Sequence, residues 1–202
     1  GLGLGFSSKL DKSKNVTCIY FGEGSIEEGV FHETINFAAQ KKLPILFICE
    51  NNFYSVYSPL KYRQPEKRNI AKMIGSMGIE SYKEDGNDVE KVYNLSKYAI
   101  NKIRKNGKPI FLEFSTYRWR EHCGPNYDND IGYRKLSEFK SWLKKDPIKL
   151  YENKLLKSLL LNKSNQKKII SKINSDIKSA FVFAENSPFP IKSDAYKNVF
   201  AK

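Results

Sequence analysis

Two short polar clusters carry the residue types from which chemistry could be built. Gly22-Glu23-Gly24 and Asn51-Asn52-Phe53-Tyr54 each end an apolar run, and Glu23 and Asn52 lie 29 residues apart. A carboxylate, an amide oxygen and backbone oxygens are hard donors of the kind Mg²⁺ prefers, and Mg²⁺ takes further oxygens from bound phosphates. Glycines at 22 and 24 let the backbone approach a ligand closely, because no Cβ intervenes. A helix starting near Ser25 would aim its free N–H groups and positive dipole end at the same place. Together these features suit a hard cation bridging to a diphosphate. Taken alone, the Gly-Glu-Gly triplet reads more simply as a strand-to-helix turn with an ordinary cap.

Both clusters depend on the elements that deliver them. Val16-Thr17-Cys18-Ile19-Tyr20-Phe21 is an apolar, β-rich run stopped by Gly22, which predicts a buried strand. Ser25 and Glu28, three apart, have the arrangement of a capping box. Phe31, Ile35, Ala38 and Ala39 then recur at helical spacing until Lys41-Lys42. Pro44 leads into a second buried strand, Ile45-Leu46-Phe47-Ile48-Cys49. Strand, helix and strand in such succession form a βαβ unit with adjacent parallel strands. Ligands of open α/β sheets bind beyond the carboxyl ends of the strands, and one crossover brings Glu23 and Asn52 to that edge.

The alternation continues, with a short helix over 70–77 and a strand over 79–83. A helix capped by Asp88 should carry Val89, Val92, Ser96, Ala99, Ile100 and Ile103 on one face and stop at Gly107 and Pro109. A strand over 110–116 precedes a polar loop over 117–134, and from Asp146-Pro147 the chain reads as helical, with Ile170, Ile173, Ile177 and Phe181 as an apolar face. The expected fold is α/β, a parallel sheet with helices on both faces, followed by a C-terminal helical extension. The α/β domain is assigned to 1–145 and the extension to 146–202.

Composition excludes several classes. A chain of 202 residues with 40% hydrophobic content and 13 Phe and 12 Tyr is not disordered. No apolar run approaches the roughly 20 residues that span a bilayer, so no membrane partner is expected. Three scattered cysteines make neither a disulfide framework nor a zinc site, and a reducing cytoplasm is the expected compartment. The net charge of +13 is concentrated: residues 135–178 hold 12 basic and 4 acidic side chains. That excess is all lysine, Arg134 being the last arginine. Nucleic-acid readers draw on Arg, so a solvated face or an acidic protein partner is expected rather than nucleic acid.

The segment 21–54, with Phe31-His32-Glu33, Asn36-Phe37-Ala38, Leu43-Pro44 and Cys49-Glu50-Asn51-Asn52, resembles the alpha subunit of thiamine-diphosphate-dependent 2-oxo-acid dehydrogenases, the pyruvate, branched-chain and acetoin dehydrogenase family. Tyr117-Arg118-Trp119-Arg120-Glu121-His122-Cys123 is similar to that family's Tyr-Arg-Tyr-His-Gly-His-Ser loop. Gly132-Tyr133-Arg134 and Asp146-Pro147 also fit, so the resemblance covers most of residues 1–150. It implies a thiamine-diphosphate-binding fold and oxidative decarboxylation of a 2-oxo acid with transfer to a lipoyl acceptor. It implies thiamine diphosphate and Mg²⁺ as cofactors, the metal held by Glu23, Asn52 and the backbone carbonyl of Tyr54. Gly22, Gly24 and Ser25 would line the diphosphate, Arg118 would bind it, and His122 would be catalytic. The implied partners are a beta subunit carrying the pyrimidine-binding half-site, in an α₂β₂ assembly, and a lipoyl acyltransferase.

Departures from the family pattern are specific. Glu23 stands where the family usually has Asp, one methylene shorter; Arg120 replaces the first loop His, and Cys123 replaces a Ser phosphorylated in some relatives. The resemblance also implies a segment before the position of Gly1, so the chain reads as the diphosphate-binding half of a composite site that does not turn over alone. Two other readings stay open. One is another thiamine-diphosphate enzyme, transketolase-like or acyloin-forming; the other is a non-catalytic subunit or binding module with a weakened metal site.

Overall fold

The computed structural model describes residues 1–200, so the last two residues of the expected C-terminal extension lie outside the described residues. In chain order the elements are α1 (Leu2–Leu10), β1 (Thr17–Gly22), a 3₁₀ turn (Glu23–Glu27), α2 (Gly29–Lys41), β2 (Ile45–Asn51), β3 (Tyr54–Ser55), β4 (Ser58–Pro59), α3 (Leu60–Arg63), α4 (Ile70–Ser76), β5 (Glu80–Asp85), α5 (Val89–Asn106), β6 (Ile110–Ser115), α6 (Leu136–Leu143), α7 (Pro147–Lys157) and α8 (Lys163–Asn186), with a final 3₁₀ turn (Lys192–Tyr196). β1, β2, β6 and β5 form one sheet in that order, and every pairing in it is parallel. β3 and β4 form a separate two-residue antiparallel hairpin.

Period-two alternation sends successive residues of a strand to opposite faces. Ile45, Phe47 and Cys49 of β2, with Phe111 of β6, pack under Phe31, Ile35 and Ala38 of α2 and Ile70 and Ile74 of α4. Leu46 and Ile48, with Ile110, Leu112 and Phe114 of β6, pack under Ala99 and Ile103 of α5. The central strands are therefore buried on both faces, as helices on both sides require, with Glu113 of β6 the one charged side chain buried among them. Edge strand β1 alternates instead, with Phe21 packed inward and Tyr20 64% exposed. α1 lies close to the sheet at Gly5, where an added Cβ would stand 2.5 Å from Cγ1 of Ile45. Truncating Phe47 to Ala would cost about 3–5 kcal/mol in such a core.

Local signals mostly act as expected. Asp88 caps α5, its carboxylate accepting from the N–H groups of Glu90 and Lys91 at 3.1 Å, and Gly107 ends that helix at φ 65°. Two expectations fail. Val89 is exposed, and Leu95 joins Val92 and Ile100 against the core in its place. The capping box at Ser25 does not form: residues 23–27 wind as a 3₁₀ turn and α2 begins only at Gly29. The carboxylate of Glu27 lies under Arg63 and the side-chain amide of Gln64, and this turn takes the place of the expected first helical turn.

The chain divides into two compact units, Gly1–Tyr151 and a second from Glu152 onward, the division falling within α7. In the second unit α8 runs for 24 residues, and Ile170, Ile173, Ile177 and Phe181, the expected apolar face, are all at least half exposed.

Candidate functional site

The strand register places Gly22 beside Glu50, Glu50 beside Phe114, and Asn51 beside Ser115, so β1, β2 and β6 end at one edge of the sheet. Both polar clusters leave from it. Asn51 is buried and fully engaged: its Nδ2 donates to Glu113 Oε1 at 2.9 Å, its Oδ1 accepts from Phe53 N at 3.0 Å, and its carbonyl accepts from Thr116 N at 2.9 Å. Glu113, also fully buried, takes Lys83 Nζ at 2.8 Å and the Ala71 N–H at 3.3 Å. This network holds the start of the turn in which Asn52 Oδ1 accepts from Tyr54 N at 3.1 Å and Phe53 adopts φ 68°. Asn52 and Tyr54 are half-buried.

Glu23 is 1% exposed. Its Oε1 lies 2.5 Å from Nη2 of Arg63, while its Oε2 is buried with no hydrogen-bond partner. The β3 strand packs on the 3₁₀ turn of Glu23. A Cβ on Gly24 would stand 2.7 Å from Ser55 Oγ, so glycine is needed there for the hairpin to close on the turn. At Gly22 the added Cβ would meet nothing within 4 Å, and φ is −80°. Neither space nor backbone demands glycine at 22. Ser25 is exposed, and its carbonyl accepts the Glu28 N–H.

The loop after β6 returns to the same hairpin. Arg118 Nη2 donates to the Val56 carbonyl at 2.8 Å and to the Tyr133 hydroxyl at 3.1 Å, and its Nε is buried without a partner. Arg118 and Gly24 thus flank neighbouring residues of one hairpin. His122 is exposed in the loop, with no hydrogen bond among the described residues. A cleft of about 640 Å³ on this unit is bordered by Tyr54, Leu60, Arg68, Tyr133, Glu138 and Trp142, and neither Glu23, Asn52, Arg118 nor His122 lines it.

Residues 1–192 match the dehydrogenase E1 component family. The chain belongs to that family. It is 32% identical over 200 residues to the pyruvate dehydrogenase E1 component subunit alpha of Rickettsia felis, covering 99% of this chain and 60% of the relative. It is 32% identical over 201 residues to the 2-oxoisovalerate dehydrogenase subunit alpha of Bacillus subtilis, covering all of this chain and 60% of the relative. With the chloroplastic pyruvate dehydrogenase E1 component subunit alpha-3 of Arabidopsis thaliana it shares 33% over 205 residues, 98% of this chain and 47% of the relative. The chain therefore spans about half to three-fifths of the length of these relatives.

One oxygen of this E1 chain has the chemistry to suit a hard cation. Glu23 Oε2 is a buried polar oxygen without a hydrogen bond, an arrangement costly unless something satisfies it. No group of three or more His, Cys, Asp and Glu suited to a metal occurs among the described residues. A cation here would draw on one carboxylate, an amide and a carbonyl, with phosphate completing the shell as Mg²⁺ favours.

Several residues shape the site through contacts that a reading of the sequence does not reveal. Arg63 is one. Asp128 and Arg134 are others: Arg134 Nη2 meets Asp128 Oδ1 at 2.6 Å, and its Nη1 donates to the Arg118 carbonyl at 2.5 Å. Asp128 Oδ2 accepts from the Tyr133 hydroxyl at 2.8 Å, so one buried ion pair fixes both the loop backbone and the tyrosine that holds Arg118. Glu138 accepts from the Tyr54 hydroxyl at 2.8 Å. Burial, then that hydrogen bond, raises the Tyr54 pKa, and burial also raises Tyr133 and pushes Tyr117 up to about 12.

Proposed function

We propose that this chain supplies the diphosphate-anchoring side of a thiamine-diphosphate site in an E1 enzyme that oxidatively decarboxylates a 2-oxo acid. The observation that carries this reading is the buried, unpaired Oε2 of Glu23 at the carboxyl edge of a parallel sheet. When bound, the cofactor supplies the electron sink that decarboxylation of a 2-oxo acid requires. Glu23, Asn52 and the Tyr54 carbonyl would hold Mg²⁺, whose role is to orient the diphosphate. Backbone at Gly22, Gly24 and Ser25 would line the phosphates, and Arg118, permanently charged and braced by Val56 and Tyr133, would neutralise them. His122, exposed on its loop, would present a donor to the reacting carbonyl.

Relatives named for pyruvate and for 2-oxoisovalerate support a 2-oxo acid substrate, and membership of the dehydrogenase E1 family favours this over a transketolase-like or acyloin-forming reaction and over a non-catalytic subunit. The same reading supplies the partners: a beta subunit with the pyrimidine-binding half-site in an α₂β₂ assembly, and a lipoyl acyltransferase as acceptor. Cys18, Cys49 and Cys123 are unpaired, which suits a reducing, cytoplasmic compartment. No helix among the described residues is long and apolar enough to cross a membrane.

Calorimetric titration of thiamine diphosphate into the protein assembled with its beta subunit, with and without Mg²⁺, tests the proposal. Saturable binding that requires the metal and is lost in Glu23→Ala is expected, together with 2-oxo-acid-dependent reduction of an artificial acceptor. Absence of metal-dependent binding in the wild-type assembly would overturn it.

A further inference from the structure

Arg63 is a heavily engaged cation near the sheet edge. Its Nε donates to the Ser58 carbonyl at 3.1 Å, its Nη1 to Glu27 Oε1, and its Nη2 to Glu23 Oε1 at 2.5 Å. All three nitrogens are used and the side chain is only 12% exposed, so the planar fork has one orientation. Glu27 is secured from the other side by Gln64 Nε2 at 3.0 Å. Arg63 comes from a four-residue helix that follows the β3–β4 hairpin, and that hairpin closes on Gly24.

The consequence for Glu23 is geometric. A glutamate has one more rotatable bond than an aspartate, so its carboxylate can meet a cation through either oxygen or both. Mg²⁺ demands short, regular bonds and tolerates such freedom poorly. With Oε1 clamped by Arg63, only Oε2 is left without a partner. We infer that Arg63 is the positioning residue of the cation site: it fixes the Glu23 carboxylate so that Oε2 alone faces the metal. This rests on the proposed cofactor site and deepens it, since nothing in the sequence pattern marks Arg63.

The charges agree with that role. An arginine beside a metal ligand would ordinarily oppose the metal, but here Glu27 supplies a second carboxylate to the same guanidinium. Two carboxylates and one guanidinium leave the cluster a net single negative charge. The cation thus meets the charge that an isolated carboxylate would offer, in a fixed direction. Groups that orient first ligands in this way typically change metal affinity by 10- to 100-fold when removed.

The test is a double-substitution cycle on the protein assembled with its partner subunit. Mn²⁺ binding is read by electron paramagnetic resonance, and thiamine diphosphate binding in Mg²⁺ by quenching of tryptophan fluorescence. Arg63→Gln should weaken both by about tenfold or more in the Glu23 protein. In the Glu23→Asp background the shorter side chain cannot reach the fork and needs no clamp, so the same substitution should change affinity by less than about twofold. An equal loss in both backgrounds, or no loss in either, overturns the inference while leaving the cofactor reading intact. Failure of the wild type to bind overturns both. Should Arg63→Gln not fold, Arg63→Lys keeps the charge without the fork; weakened binding supports the inference, and wild-type affinity overturns it.

Discussion

Asn51 donates a 2.9 Å hydrogen bond to Glu113, joining the last residue of β2 to a carboxylate buried in the middle of β6. The bond does more than fill a lone pair. Glu113 also receives Lys83 from β5 and the Ala71 N–H from the start of α4, so three elements meet on one carboxylate. Removing it by Glu113→Ala strands the Asn51 amide and the Ala71 N–H in the core. We expect a loss of about 3 kcal/mol, with a smaller loss for Glu113→Gln, which keeps the shape and one acceptor. Thermal and denaturant unfolding measure both. Because Asn51 sets the turn that presents Asn52, the Ala variant should also lose affinity for a cation that Glu113 never touches.

Much of this architecture was legible in the sequence, for identifiable reasons. The runs at 16–21, 45–49 and 110–116 are predominantly apolar, and the βαβ spacing leaves β1 and β2 little choice but to lie parallel. Glu23 and Asn52 were placed at one edge by that argument alone. What stayed hidden is long-range and polar. Arg63 reaches Glu23 across 40 positions, and the Glu113–Asn51 bond spans 62; no periodicity encodes either. The failed capping box belongs to the same class, since Ser25 and Glu28 carry the local signal while Arg63 and Gln64, from elsewhere, engage Glu27. Asp128 looked like one polar residue in a polar loop, and only its burial beside Arg134 shows that it organises the segment.

Glu27 provides a second probe of the sheet-edge charge. Glu27→Gln leaves Arg63 with a single carboxylate and makes the Glu23–Arg63–Glu27 cluster neutral overall. Mn²⁺ affinity should fall several-fold while the fold persists, since Glu27 is partly exposed and its loss leaves no buried orphan. Raising ionic strength should narrow the difference, because a partly exposed charge is screened.

Asp128→Asn should act in a different manner. It leaves the Arg134 guanidinium, nearly inaccessible to solvent, without its counter-charge. A cost of about 3–5 kcal/mol is expected. Limited proteolysis should then open the loop after β6 first, because Arg134 also holds the Arg118 and Trp119 carbonyls. Weaker thiamine diphosphate binding with unchanged Mn²⁺ binding would separate this effect from one on Glu23.

His122 has no hydrogen bond among the described residues and contributes little to the fold. His122→Ala should therefore leave the unfolding midpoint within experimental scatter and the cofactor affinity unchanged. Turnover of 2-oxo acids by the assembled enzyme should fall by about 10²–10⁴, the range for loss of a positioned proton donor. Unchanged turnover would remove His122 from the chemistry.

Alkaline stability follows from the aromatic cluster at the loop. Tyr117 is stacked on Trp142 with centroids 5.2 Å apart, and Tyr54 and Tyr133 lie edge-on with centroids 5.5 Å apart. Burial raises the pKa of all three, that of Tyr117 to about 12, whereas an unfolded tyrosine ionises near 10. The folded state therefore holds protons that the unfolded state has released. Stability from these groups is fully present below about pH 10 and is lost as pH rises through their folded-state values, which for Tyr117 is about 12. Absorbance titration should show this group of tyrosines ionising later than the exposed ones. Tyr117→Phe, having no proton to lose, should shift the midpoint of alkaline unfolding upward, and a midpoint unmoved by that substitution would show that other groups govern it.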